Sequence, residues 1–218
     1  MAERRLHLLA IAHRRPISRV AQVTAVVRTA RMARAAMKAA AACVAIVCSI
    51  GPAPAQSVAP TTLPTGGVVV QGAATIHRAV GSTAAVLNVD QSSQRAIVNW
   101  NSFNLGSAGT VNFNQPNAQS ATLNRVLDMN PSVIMGRINA PGQVTLINPA
   151  GVYFSPGAVL DVGALTATTL NQTDADFMAG AARFGRDGAT GTVINQGTLK
   201  AADYIALLAP EVRNQGVV

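Results

Sequence analysis

The stretch Val144-Thr-Leu-Ile-Asn-Pro-Ala-Gly-Val-Tyr-Phe-Ser-Pro-Gly-Ala-Val-Leu-Asp-Val-Gly-Ala-Leu-Thr-Ala-Thr-Thr169 sets short apolar or β-branched runs between Asn, Pro and Gly corners, with Asp161 as its only charge. A chain that turns this often and carries so little polar decoration builds strands covered on both faces. The stretch holds no catalytic grouping, so it points to architecture or recognition rather than to chemistry.

The same texture extends outward in both directions. Strand-like runs are read at Val68–Val70, Ala84–Val89, Ala96–Trp100, Thr110–Phe113, Ala121–Leu127, Ser132–Ile138, Gln143–Ile147, Val152–Phe154, Ala158–Val162 and Ala164–Leu170. Gly, Asn, Pro or Ser separates nearly all of them. A helical turn is expected only near Asp174 to Ala182. The fold class is all-β.

Repetition decides which all-β architecture. Asn195-Gln-Gly197 recurs as Asn214-Gln-Gly216, and Ala140-Pro-Gly-Gln-Val-Thr-Leu-Ile-Asn-Pro149 echoes in Ala201-Ala-Asp-Tyr-Ile-Ala-Leu-Leu-Ala-Pro210, at an offset of 61 residues. That offset is close to three units of about twenty residues, the length of one coil of a parallel β-solenoid. In such a coil each side chain recurs about 4.8 Å above its predecessor, stacking apolar residues inside and Asn at the turns. The competing architecture is a sandwich with unrelated Asn-Gly turns.

Charge isolates the N-terminus. Nine of the 17 basic residues precede position 39, against Glu3 alone, while the remainder balances eight basic against eight acidic residues. The pI of about 11.0 therefore reflects a presequence and not a nucleic-acid-binding surface. Residues 39–50 form an apolar run too short to span a membrane, followed by Gly51-Pro52-Ala53-Pro54-Ala55. A basic region, an apolar run and an A-x-A exit predict a signal peptide over residues 1–55 cut after Ala55, with Ala53 and Ala55 as the recognition pair. The long basic region leaves two start codons open, Met1 or Met32. Both cysteines, Cys43 and Cys48, lie inside this segment, so the mature chain is cysteine-free and depends on burial and backbone hydrogen bonds. Residues 56–67, rich in Pro, Thr and Gly, read as a flexible lead-in.

Candidate chemistry is sparse. His77 is the one histidine beyond the signal segment, so a nucleophilic triad has a single base and no nucleophile elbow. Asp174, Asp176 and Asp187 have the spacing of neither an EF-hand nor a calcium-binding nonapeptide, and read as a solvated acidic loop. Gly185-Arg-Asp-Gly188-Ala-Thr-Gly191 is a turn cluster rather than a phosphate loop. No zinc set, cofactor motif or poised carboxylate pair stands out, and the expectation is a non-enzymatic chain with no cofactor.

From Gln91-Ser-Ser-Gln-Arg-Ala-Ile-Val-Asn-Trp-Asn-Ser-Phe-Asn-Leu-Gly106, through Val111-Asn-Phe113, Leu123-Asn-Arg-Val126 and Gly136-Arg-Ile138, to Ile147-Asn-Pro-Ala-Gly-Val-Tyr-Phe154, the chain resembles the filamentous haemagglutinin N-terminal domain. This is the secretion (TPS) domain of two-partner-secretion exoproteins. Gly157-Ala158, Val162-Gly-Ala-Leu165 and Ala167-Thr-Thr-Leu170 continue the match.

The resemblance implies a right-handed parallel β-helix with an N-terminal cap over residues 68–218; the sequence itself reads as a helical signal segment before it and as a last repeat broken off after Asn214-Gln-Gly-Val-Val218. It also implies Sec export, passage through the periplasm, and capture by the periplasmic domains of a TpsB-type outer-membrane β-barrel transporter. Two Asn-Pro motifs of the family bear on secretion. Asn148-Pro149-Ala150-Gly151 matches the one reading Asn-Pro-Asn-Gly, with Ala150 in place of the second Asn. Gln115-Pro116-Asn117-Ala118 stands where Asn-Pro-Asn-Leu would lie and keeps only Pro116 and Asn117. Read from the residues alone, Asn-Pro-x-Gly is a turn, with Pro fixing φ and Gly accepting a positive one. A recognition role for Asn148, Pro149 and Gly151 further predicts that Asn148→Ala or Pro149→Ala blocks secretion with little loss of stability.

The function expected is that of a secretion domain of an adhesin-type exoprotein, which carries the chain outward and templates the coils that follow. The alternatives are a delivery domain of a contact-dependent-inhibition toxin and a carbohydrate-active β-helix protein. A host-cell or surface receptor, or a carbohydrate, would be met by sequence further along.

Overall fold

The structure is a computed structural model describing residues 58–218 together with the strand His7–Ala12. The expected cleavage pair Ala53 and Ala55 and the apolar run before it lie outside the described residues. Within residues 1–55 the described piece, β1 (His7–Ala12), is extended, where a helical segment was expected.

Two strands, β2 (Val68–Gln71) and β3 (Ala74–Val80), precede five coils. The first coil carries β4 (Ala85–Gln91) and β5 (Arg95–Trp100), and the second β6 (Gly109–Asn114), β7 (Ala121–Val126) and β8 (Ser132–Ile134). The third is β9 (Arg137–Ile147) and β10 (Val152–Phe154), and the fourth is β11 (Val159–Thr168), helix α1 (Asp174–Met178) and β12 (Thr192–Asn195). The fifth is β13 (Thr198–Ala201), β14 (Tyr204–Ala209) and β15 (Glu211–Asn214).

Coils stack in parallel register on three sides. The first side runs β4, β6, the start of β9, the start of β11, then β13. The second runs β5, β7, the end of β9, the end of β11, then β14. The third begins with the Leu105–Ile134 bridge and continues β8, β10, β12, β15. β9 and β11 each turn a corner without breaking, and their mutual register shifts between Val162 and Ala164. This is a parallel β-helix, and the all-β expectation holds.

Alternation places one set of side chains inside. Leu87, Val89, Val98, Trp100, Val111, Phe113, Leu146, Phe154, Leu165 and Leu207 share a single core cluster. The interior also holds Asn124, fully buried, which accepts from Trp100 Nε1 at 3.0 Å and donates to Thr145 O at 3.3 Å, so its polarity is satisfied by coils on both sides.

The cap consists of the two antiparallel strands. β2 lies along β5 and β3 along β4, covering the first coil's open edges. Residues 58–67 run onto the first coil. Leu63 is 2% exposed beside Phe103 and Trp100, and Thr65 bridges to Ser102. Trp100 and Phe103 meet edge to face with centroids 5.5 Å apart.

The repeat arithmetic is corrected as well. Val144 stacks beside Leu165 and Leu165 beside Ile205, so the 61-residue echo is a true register spanning two coils rather than three. The fourth coil is long because residues 171–191 leave it between its second and third sides. The run Ser132–Ile138 also divides, since the corner at residues 135–136 separates β8 from β9.

Candidate functional site

The Asn148 corner joins the second side of the third coil to its third side. Asn148 is fully buried, and its side chain is fully occupied. Its Oδ1 accepts from Ala150 N at 3.0 Å, an Asx turn, while its Nδ2 donates to Asn130 O and to Ser132 Oγ, both at 2.9 Å. Asn130 and Ser132 belong to the coil before, so the amide pins two coils together. Gly151, at φ 133°, donates to Asn148 O at 3.0 Å; a Cβ there would lie 3.1 Å from Thr192 O of the next coil. Pro149 is exposed and Ala150 half-buried, so they form the tip of the turn. Beside them the loop of residues 127–131 presents Leu127, 58% exposed, and Met129, 92% exposed.

The second motif has the same construction with a different residue in the leading role. Pro116 is exposed, and Asn117 closes a local turn, accepting from Gln119 N at 3.0 Å and Ser120 Oγ at 3.3 Å. Gln115 is the buried member, 8% exposed. Its Nε2 donates to Thr122 Oγ1 at 2.8 Å and to Gln143 O at 3.0 Å, and its Oε1 accepts from Gly142 N at 2.8 Å. Sequence reasoning passed over Gln115, Asn130 and Ser132. A glutamine's extra methylene lets it reach the next coil from a position where the family motif has Asn. Both motifs therefore fasten the junction between the second and third coils.

Similar staples recur elsewhere. Gln91 donates to Ala121 O at 3.2 Å and accepts from Thr122 Oγ1 at 2.6 Å, joining the first coil to the second. The repeated Asn-Gln-Gly units lie directly on one another. Asn195 Nδ2 donates to Asn214 Oδ1 at 2.8 Å and Gln196 Nε2 to Gln215 Oε1 at 2.7 Å, while a Cβ on Gly216 would come within 2.2 Å of Gly197 O.

The remaining candidates are separately committed. His77 is on the outer face of the cap strand, 3.6 Å from Asp90. Asp174 pairs with Arg125 at 2.7 Å, Asp176 accepts from Thr173 Oγ1 and faces Arg183 at 3.3 Å, and Asp187 accepts from Asn171 Nδ2 at 2.9 Å. These three acids converge on no common point.

A capped parallel β-helix whose corners are fastened by buried amides defines an architectural domain of the exported type. The sequence matches the family described as TPS secretion domain over residues 61–218. Two relatives from Haemophilus influenzae, both called heme/hemopexin-binding protein, are 36% identical over 164 residues and 40% identical over 100 residues. Those matches cover 72% and 46% of this chain but 18% and 10% of the relatives. The crystal structure of the HMW1 secretion domain from Haemophilus influenzae superposes with a TM-score of 0.60 at 29% identity, covering 70% of this chain and 41% of that one. The chain belongs to the TPS secretion domain family, and its function is that of the secretion domain of a two-partner-secretion exoprotein.

Proposed function

We propose that residues 58–218 address their exoprotein to the periplasmic domains of a TpsB-type β-barrel transporter, and that the Asn148 corner is the feature read there. The observation that supports this best is the coincidence of the family match over residues 61–218 with a turn whose tip, Pro149 and Ala150, projects beside the exposed Leu127 and Met129. Asn148 acts in this reading as the residue that holds the tip, since its own polar atoms are all engaged inside. The domain works without catalysis. It reaches the periplasm behind a signal peptide cleaved after Ala55, crosses the outer membrane, and offers its last coil as a template for the coils that follow.

What carries over from the heme/hemopexin-binding relatives is the route of export and not their ligand, because the matched part is under a fifth of those proteins. The test is deletion of the cognate outer-membrane transporter in the native host. The processed chain is expected to vanish from the culture supernatant and to accumulate or be degraded in the periplasm. Undiminished extracellular protein would overturn the proposal.

A further inference from the structure

Residues 171–191 do not belong to the coil. They leave the second side of the fourth coil after Leu170, form α1, and close on themselves through the Asn171–Gly185 bridge before β12 begins. The segment lies as a strap across the outer face of the second side, where Ile97, Ala121, Leu123 and Ile147 form an apolar cluster separate from the core. These residues come from the first, second, second and third coils. Phe177, 3% exposed, completes the cluster.

Two arginines fasten the strap. Arg95, on the first coil, donates to Phe177 O at 3.0 Å and stacks on the Phe177 ring at 5.3 Å. Arg125, on the second coil, meets Asp174 at 2.7 Å and Gln172 O at 2.8 Å. A single short segment thus grips three coils at once, from outside.

Chain order fixes when it can do so. The Arg95–Phe177 and Arg125–Gln172 bonds span 82 and 47 residues, and the surface they meet exists only after β5, β7 and β9 have paired. Closing such long loops costs entropy that is recovered only when the receiving face is complete. We infer that residues 171–191 are a clasp that closes after the first three coils have stacked and then resists their unwinding. Resting on the export reading above, the clasp is a pawl: as folding outside the cell pulls the chain through, its closure prevents emerged coils from unravelling and slipping back.

A late-closing element changes unfolding and leaves folding alone. The test is stopped-flow folding and unfolding of the full chain in denaturant, followed by the fluorescence of Trp100, its only tryptophan. Phe177→Ser is expected to raise the unfolding rate by roughly tenfold or more while the refolding rate stays within about twofold. Met178→Ser, a neighbouring substitution at an exposed site outside the apolar cluster, is the control and changes neither. Asp174→Asn, which removes the ion pair to Arg125 and one acidic charge from the first turn of α1 but leaves the apolar cluster intact, gives a smaller rise confined to the same limb and decides the matter if Phe177→Ser does not fold.

Slower refolding in step with lost stability would place the strap in the folding nucleus and overturn the inference. An unchanged unfolding rate would overturn it too. Because these rates are measured without a transporter, their failure leaves the export reading standing, and the transporter deletion tests that reading alone.

Discussion

Asn148 and Pro149 are adjacent, yet the structure gives them opposite roles. Asn148→Ala would leave Asn130 O, Ser132 Oγ and Ala150 N short of a buried partner, at a cost of roughly 2–4 kcal/mol. Pro149→Ala at the exposed tip is expected to cost less than about 1 kcal/mol, mostly through a more flexible unfolded chain. The expectation of little loss of stability is thereby kept for Pro149→Ala and replaced for Asn148→Ala. Urea denaturation of the two purified variants checks it, and equal midpoints would refute it. In secretion assays Pro149→Ala is then the cleaner probe of recognition, because a block there cannot be assigned to a loosened coil. The same contrast applies at the second corner. Gln115→Ala is expected to lose roughly 2–4 kcal/mol and Asn117→Ala, whose bonds are local, less than about 1 kcal/mol. The Asn148 turn was legible because Asn-Pro-x-Gly has a mechanism that can be written from the residues alone. Its burial was not, since the groups that engage it lie 16 and 18 residues upstream in another coil.

At the level of elements, corner residues located β4 to β7, which are six or seven residues long, and alternation marks β4 and β6 in addition. The third side was harder. β10 was read with its own bounds because Gly151 and Ser155 flank it, but β8, three residues long, merged with the start of β9 across the corner at residues 135–136. Repetition compensated: the two Asn-Gln-Gly units are neighbours on that side, and the longer echo is a true stack. Its count of coils went astray because the clasp adds an excursion that no periodicity announces; only the short helix within it left a trace. The stacked amides yield a prediction for this element. Asn195→Ala removes the bond to Asn214 and the Asx turn onto Gly197 N. Hydrogen exchange should quicken in β13 and β15, which flank it, while β4 to β7 keep their protection. Uniform acceleration throughout would show that the coils do not behave as separable neighbours.

A stack of coils is quasi-one-dimensional, so the stability of each coil depends on its own packing and on its two neighbours. The two ends of this stack are secured differently. The first coil is covered by β2 and β3 and plugged by Leu63 and Phe103, and the clasp ties it to the second and third. Among the described residues the fifth coil is bordered along β14 by β1, antiparallel from His7↔Ala209 to Ala12↔Tyr204, and along β13 only by the bridge from Thr198 to Val217. That contact shows β14 to be an edge that accepts a strand, which a coil following it in an exoprotein would also supply. Protection against amide exchange is therefore expected to be greatest in β5, β7 and the end of β9 and to decline toward β15. Removing residues 1–55 should lower protection further in β14, which among the described residues loses its hydrogen-bonding partner β1. The gradient has a consequence for export. If coils form in order of emergence, the most stable part of the domain is also the first to fold, and each later coil is added to a base that is already secure. Exchange read by mass spectrometry, with and without residues 1–55, measures both effects. A flat profile, or a loss that spreads from β14 into β5 and β7, would mean that the molecule unfolds as one unit and that the order of the coils confers no direction.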